Sequence, residues 1–210
     1  EKGTLNAETP MVVLVSSQSA SASEIVAGAL KGQDRALVVG ETTYGKGTVQ
    51  QIFNQGQGQP VLKMTIREYL TPGEVSIQQV GVVPHVRFVS VGVVDEVVSL
   101  FWPDEPKKTP KKTRTIKSDR QRPEEQPRYE VRHFVTARQQ RDQKNRVEDT
   151  GADEDSIEFA RRILVEAGKT KASETLSGLD TLMKRQLAEE DTRMVAELGQ
   201  RGVDWKKAAG

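Results

Sequence analysis

The 210-residue chain has no cysteine, which excludes disulfides, zinc–thiolate sites and thiol catalysis. No apolar run is long enough to span a bilayer. Net charge is nearly absent as well. The 31 Lys and Arg face 30 Asp and Glu, so the strongly basic profile of a dedicated nucleic-acid binder is missing. Hydrophobic residues make up only 35% and charged ones 29%, so a normal core is diluted by solvated segments. The opening "EKGTLNAETP" has neither an initiator methionine nor a signal peptide, and the expectation is a fragment or processed product.

Three regions differ in character, with expected boundaries 1–102, 103–152 and 153–210. In the first, "MVVLVS" (11–16) is a continuous apolar run, as in a strand buried on both faces. "ASASEIVAGALKGQ" (20–33) reads as a helix with Ile25, Ala29 and Leu30 on one side and Gly32 near its end. "RALVVG" (35–40) is a second buried strand. Strand, helix and strand within about 30 residues make a βαβ unit with parallel strands, so the fold class is α/β. "TVQQIF" (48–53) and "PVLKMTIREYL" (60–70) read as further strands joined by the turn "NQGQGQ". "TPGEVSIQQVGVVPHVRFVSV" continues in short extended pieces.

Residues 103–152 are rich in Lys, Arg, Gln, Glu and Pro. That composition predicts a largely disordered linker, apart from one strand in "RYEVRHFV" (128–135). Within it, "KKTPKKTRTIK" reads as a solvated run in preference to a nucleic-acid patch. Residues 153–210 predict a small helical region. "DEDSIEFARRILVEAG" carries Ile157, Ala160, Ile163 and Leu164 at helical spacing, with Gly168 after its end. "KASETLSGLDTLMKRQLAEEDTRMVAELG" reads as a second helix or a broken pair.

"GETTYGKG" (40–47) starts like a phosphate loop, since Gly40, Gly45 and Lys46 fit G-x-x-x-x-G-K. Gly47 then stands where a Ser or Thr should hold magnesium. The β-branched "TVQQIF" follows where a helix should hold phosphate. Nucleotide binding is therefore rejected. The βαβ geometry instead carries loop 41–47 to the sheet edge where helix 20–33 begins, so Lys46 approaches the serines of "SASAS". A serine at a helix start and a lysine nearby can pair as nucleophile and base, with helix N–H groups suited to an oxyanion. The lysine must be neutral to act, which burial between Gly45 and Gly47 would favour. Spacing alone does not choose the serine: Ser21 and Glu24 also fit a capping box.

"VVLVSSQSASASEIVAGALKGQDRALVVGETTYGKGTVQQIF" resembles the catalytic core of the carboxyl-terminal processing proteases, also called tail-specific proteases. "YLTPGEVSIQQVGVVPHV" is similar to the segment that follows that core. The resemblance covers roughly residues 11–88. It implies a partial core of the ClpP/crotonase-like type and a serine endopeptidase acting in or near the C-terminal regions of protein substrates. Ser21 is implied as nucleophile, Lys46 as general base, Gln50 as the residue orienting the lysine, and the Ala22 N–H as one oxyanion donor. Ser19 and Ser23 are left as local hydrogen-bonding or surface residues. In the family a second donor, from a glycine, and a PDZ domain that receives the substrate tail lie upstream. No counterpart of either is found in this sequence, so the isolated chain is expected to be inactive.

Ser16, Tyr44 and His85 depart from the family's usual Asn, Phe and acidic residue, without touching Ser21, Lys46 or Gln50. His85 and His133 have no ligand-spaced partner in sequence and are assigned to no metal or triad. No cofactor is implied. The partners implied are protein or peptide substrates and the PDZ domain, with a homo-oligomer through the C-terminal helices as a further expectation and no nucleic acid. Family habit suggests the periplasm or another extracytoplasmic space. The alternative is a non-catalytic binding module on the same fold, as in the retinoid-binding repeats of the eye. A further reading, which can coexist with the first, makes the linker and terminal helices an interaction module.

Overall fold

A computed structural model describes residues 6–54, 56, 61–92, 125–135 and 154–202. The two apolar runs form β1 (Val12–Val15) and β2 (Leu37–Gly40), joined by α1 (Ala22–Gly32). They pair in parallel, with Val12 opposite Leu37 and Val15 opposite Gly40. This is the expected βαβ unit.

After β2 come two antiparallel pairs, β3 (Thr48–Phe53) with β4 (Leu62–Glu68), and β5 (Leu70–Thr71) with β6 (Val75–Ser76). The chain then re-enters the main sheet as β7 (Val86–Gly92), parallel to β2. β8 (Tyr129–Val135) adds in parallel beyond it, giving the order β1-β2-β7-β8. "RYEVRHFV" is thus a strand, as its alternation predicts. The expected linker apart from residues 125–135, and most of the turn "NQGQGQ", lie outside the described residues.

Alternation along the buried strands divides the core. Val15 and Val38 face one side, where they meet Ala27 of α1 with Ile77 and Val82. Leu37 and Val39 face the other, with Val86, Phe88 and Val131. That second face is covered by α2 (Glu154–Ala167), α3 (Ala172–Ser177) and α4 (Asp180–Gln200). Phe159, Ile163, Leu179, Leu182 and Met183 close the cluster. The expected second helix is a broken pair, interrupted at Gly178 and Leu179. In α2 the buried residues are Phe159, Ala160 and Ile163, whereas Ile157 is 50% exposed. The Phe159 ring, stacked 4.7 Å from Phe88, takes the core face instead of Ile157.

Polar contacts fasten the helical layer. Asp34, in the turn after α1, accepts hydrogen bonds from the Ser173 N–H (2.7 Å) and hydroxyl (2.6 Å) at the start of α3. The Ser173 hydrogen bonds hold the Asp34 carboxyl below its ordinary value. Arg162 of α2 donates to Gln186 (2.7 Å) and Glu189 (3.1 Å) of α4. Among the described residues no helix is long and apolar enough to cross a membrane.

Sheet and C-terminal helices share one apolar cluster, so they are expected to unfold together. Phe159→Ala should cost about 3–5 kcal/mol for the lost burial and the cavity. Urea unfolding followed by circular dichroism should keep a single transition with a lower midpoint. A separate early helical transition, with the sheet unaffected, would contradict a shared core.

Candidate functional site at the sheet edge

Strand β1 ends at Val15, and residues 16–21 turn the chain into α1. Ser21 takes φ 57° and ψ −115° immediately before the first helical turn. A non-glycine residue held there costs about 1–3 kcal/mol and persists only where its surroundings fix it. The fixing group is Glu24, which the sequence offered only as a capping residue. The Ser21 N–H donates to Glu24 Oε2 at 2.8 Å.

Glu24 is fully buried and does much more than cap. Its Oε1 accepts from the Thr43 hydroxyl and the Gly45 N–H, both at 2.6 Å. Its Oε2 accepts from the Lys46 N–H at 2.8 Å as well as from Ser21. Two donors on each oxygen match the acceptor capacity of a carboxylate. Because Ser21 N and Lys46 N each lie 2.8 Å from the same oxygen, they are no more than twice 2.8 Å, or 5.6 Å, apart. The lysine loop therefore does return to the serine segment.

Other bonds lace the same seam. The Ser17 N–H donates to Glu41 Oε2 (3.1 Å), the Tyr44 N–H to the Ser19 carbonyl (3.0 Å), and the Glu41 N–H to the Val15 carbonyl (3.1 Å). Behind the loop lies the segment between β6 and β7. The Gln79 N–H donates to the Gly45 carbonyl (2.8 Å), and the Gly47 N–H donates to Gln78 Oε1 (2.8 Å). The Val82 N–H donates to the Thr43 hydroxyl at 2.7 Å. Both glycines flanking Lys46 are needed for this fit. A Cβ on Gly47 would stand 2.8 Å from the Gln78 nitrogen, and one on Gly45 would stand 3.0 Å from the Gln79 backbone at a φ of +87°.

The structure separates the serines. Ser19 Oγ accepts from the Ser16 N–H (3.0 Å), and Ser23 Oγ donates to the Ala20 carbonyl (2.7 Å), so both are locally engaged. Ser21 Oγ sits at the helix N-terminus and makes no hydrogen bond to another side chain among the described residues. Ala22 is exposed at the first helical position, where an N–H has no intrahelical acceptor.

Lys46 and Gln50 are less confined than the sequence suggested. Gly45 and Gly47 are buried, but Lys46 itself is exposed, so the described residues do not desolvate it. The small side chains beside it let the loop backbone sink while the long lysine stem leaves the surface. Gln50 is exposed on β3, opposite Thr65 and just past an irregularity after Val49. Among the described residues no hydrogen bond joins it to Lys46.

The histidines lie elsewhere. His85 Nδ1 accepts the Val38 N–H at 3.0 Å, and the His85 backbone N–H donates to the Val38 carbonyl at 2.8 Å. Burial, with the nearby Lys31 charge, lowers its imidazole to about 4. It is a neutral stitch between β2 and the start of β7. Among the described residues no cluster of His, Asp and Glu forms a metal cage.

Glu24→Gln would replace one accepting oxygen with an amide donor and orphan two buried donors. Each unsatisfied donor costs about 1–3 kcal/mol. The variant is therefore expected to lose about 3 kcal/mol in urea denaturation and to speed amide exchange at Gly45 and Lys46. Unchanged exchange at both amides would remove Glu24 as their anchor.

Residues 1–88 match Peptidase family S41. Over 75 residues the chain is 52% identical to the chloroplastic carboxyl-terminal-processing peptidase 2 of Arabidopsis thaliana, covering 36% of this chain and 14% of that protein. Over 84 residues it is 45% identical to the carboxy-terminal-processing protease of Bartonella bacilliformis, covering 40% of this chain and 19% of the relative. Each match thus takes up under a fifth of the relative's own length. A solved photosystem II D1 C-terminal processing protease shares 46% identity over 37% of this chain and 20% of its own, with a TM-score of 0.35. The likeness to Peptidase family S41 and to the carboxyl-terminal processing proteases thus lies in residues 1–88 of this chain.

Proposed function

We propose that the protein carrying this chain is a serine endopeptidase of the carboxyl-terminal processing type, cutting protein substrates in or near their C-terminal regions. Ser21 Oγ attacks the scissile carbonyl carbon and passes its proton to Lys46 Nζ. The Ala22 N–H, at the positive end of α1, helps to hold the tetrahedral oxyanion. Lys46 then returns the proton to the leaving amine, and water releases the acyl group by the same route. Gln50 orients the lysine.

The observation that carries this reading is the shared Glu24 oxygen, which ties the Ser21 and Lys46 backbones within 5.6 Å, twice 2.8 Å. It is supported by the strained Ser21 backbone at a helix N-terminus and by the local engagement of Ser19 and Ser23. A lysine base needs desolvation, and a polypeptide bound over this edge would supply it by excluding water. The names of the relatives favour a C-terminal processing role, and one of them is chloroplastic; an extracytoplasmic setting is part of the same proposal.

Peptide cleavage by the complete protein tests the proposal. Ser21→Ala and Lys46→Ala should each lower kcat/KM by on the order of 10³ or more, whereas Ser23→Ala should change it little. Undiminished turnover in Ser21→Ala would remove the nucleophile assignment.

A further inference from the structure

The second buried polar centre lies at the opposite layer of the molecule, outside the serine–lysine edge. His133 of β8 is 4% exposed, and its ring stacks on Phe88 of β7 at 5.4 Å. Carboxylates stand at both ring nitrogens. Glu190 Oε1 of α4 lies 2.9 Å from Nδ1, and Asp155 Oδ2 of α2 lies 3.2 Å from Nε2 without hydrogen-bond alignment. Glu190 is itself 5% exposed and tied into the strand, since its Oε2 accepts the Phe134 N–H at 3.0 Å. Gln186 Nε2 donates to Glu190 Oε1 at 2.7 Å. On α4, Arg193 also approaches Glu190, at 3.6 Å.

A neutral imidazole has one N–H, so it would aim a lone pair at one of the two carboxylates. Only the doubly protonated ring suits both. We propose that His133 is a proton-controlled latch, holding α2 and α4 against β8 while its ring carries two protons and loosening them when one is lost. The latch joins three elements distant in sequence. It sits on the apolar cluster of the helical layer, beside Phe159, which stacks on the same Phe88.

The direction of the effect follows from linkage. Burial alone would lower the His133 imidazole, but the Glu190 hydrogen bond and the Glu190 and Asp155 charges more than offset it, and the net shift is upward from 6.5. A raised histidine contributes stability that is full below 6.5 and is lost as pH rises through the folded value. Glu190 is shifted down by His133 and the Phe134 N–H against its own burial. Its contribution is therefore full above 4.5 and is lost as pH falls through its folded value. The latch is closed below 6.5 and opens as pH rises through the folded value of His133.

The chain has only two histidines, which makes the test direct. Proton NMR titration of the purified chain should show His85 near 4 and His133 above free imidazole. Exchange at the Phe134 amide, taken relative to Val39 in β2 to cancel base catalysis, should rise at least tenfold above the His133 midpoint. The folding equilibrium should weaken about tenfold for each pH unit by which His133 exceeds free imidazole. Asp155→Asn, at a partly exposed position, should fold, lower the His133 midpoint and shrink the loss of stability above it. His133→Gln should abolish that loss if it folds. A His133 midpoint at or below free imidazole would overturn the latch. So would a midpoint unmoved by Asp155→Asn, or an unchanged Phe134-to-Val39 exchange ratio.

Discussion

One buried carboxylate organises the sheet edge. Glu24 takes four donors from two separate segments: the Ser21 N–H in the turn into α1, and the Thr43 hydroxyl with the Gly45 and Lys46 N–H groups in the lysine loop. Without it, the Ser21 backbone would relax from a costly conformation and loop 43–46 would lose its anchor to the helix. Its burial has a structural price of admission, because a charged group is tolerated inside only when fully hydrogen-bonded. Here that requirement makes it specific. The four donors fit one placement of serine segment against loop, so the carboxylate sets the geometry instead of merely stabilising the helix start.

From that anchor the support spreads outward. Gly45 and Gly47 let the loop backbone lie on Gln78 and Gln79, while Thr43 passes the contact on to the Val82 N–H. The segment after β6 is therefore a backing plate for the lysine loop. Strand β2 delivers this loop, and its two faces carry two different apolar clusters. The C-terminal helices belong to this same framework, since they pack on the β2 face opposite α1. A second buried polar centre, His133 with Glu190 and Asp155, fastens that layer at β8.

Much of the fold was legible because burial on both faces leaves a plain mark. "MVVLVS" and "RALVVG" are uninterrupted apolar runs, and only a short helix lies between them, so a parallel pair follows from length and composition. The approach of Lys46 to the serines follows from the same topology. What Glu24 does could not be read, because a glutamate three residues after a serine looks the same whether it caps one helix or anchors a distant loop. The exposure of Lys46 was likewise hidden, since flanking glycines show a tight loop but not which way the side chain leaves it. Nor could spacing reveal the partners of His133, which lie 22 and 57 residues away. One signal was present: Gln186 and Glu190 follow Leu182 at intervals of four, placing polar groups on the apolar stripe of a helix. Such residues need buried partners, and His133 and Arg162 are those partners.

The central claim is that Glu24 presents Ser21 and Lys46 as one reactive unit, and covalent labelling probes it most directly. The complete protein should be treated with a serine-directed acylating or phosphonylating reagent and mapped by peptide mass spectrometry. The account predicts labelling at Ser21, abolished by Lys46→Ala and slowed by Glu24→Gln in protein that remains folded. Labelling at another serine, or a Ser21 rate indifferent to both Lys46 and Glu24, would contradict it.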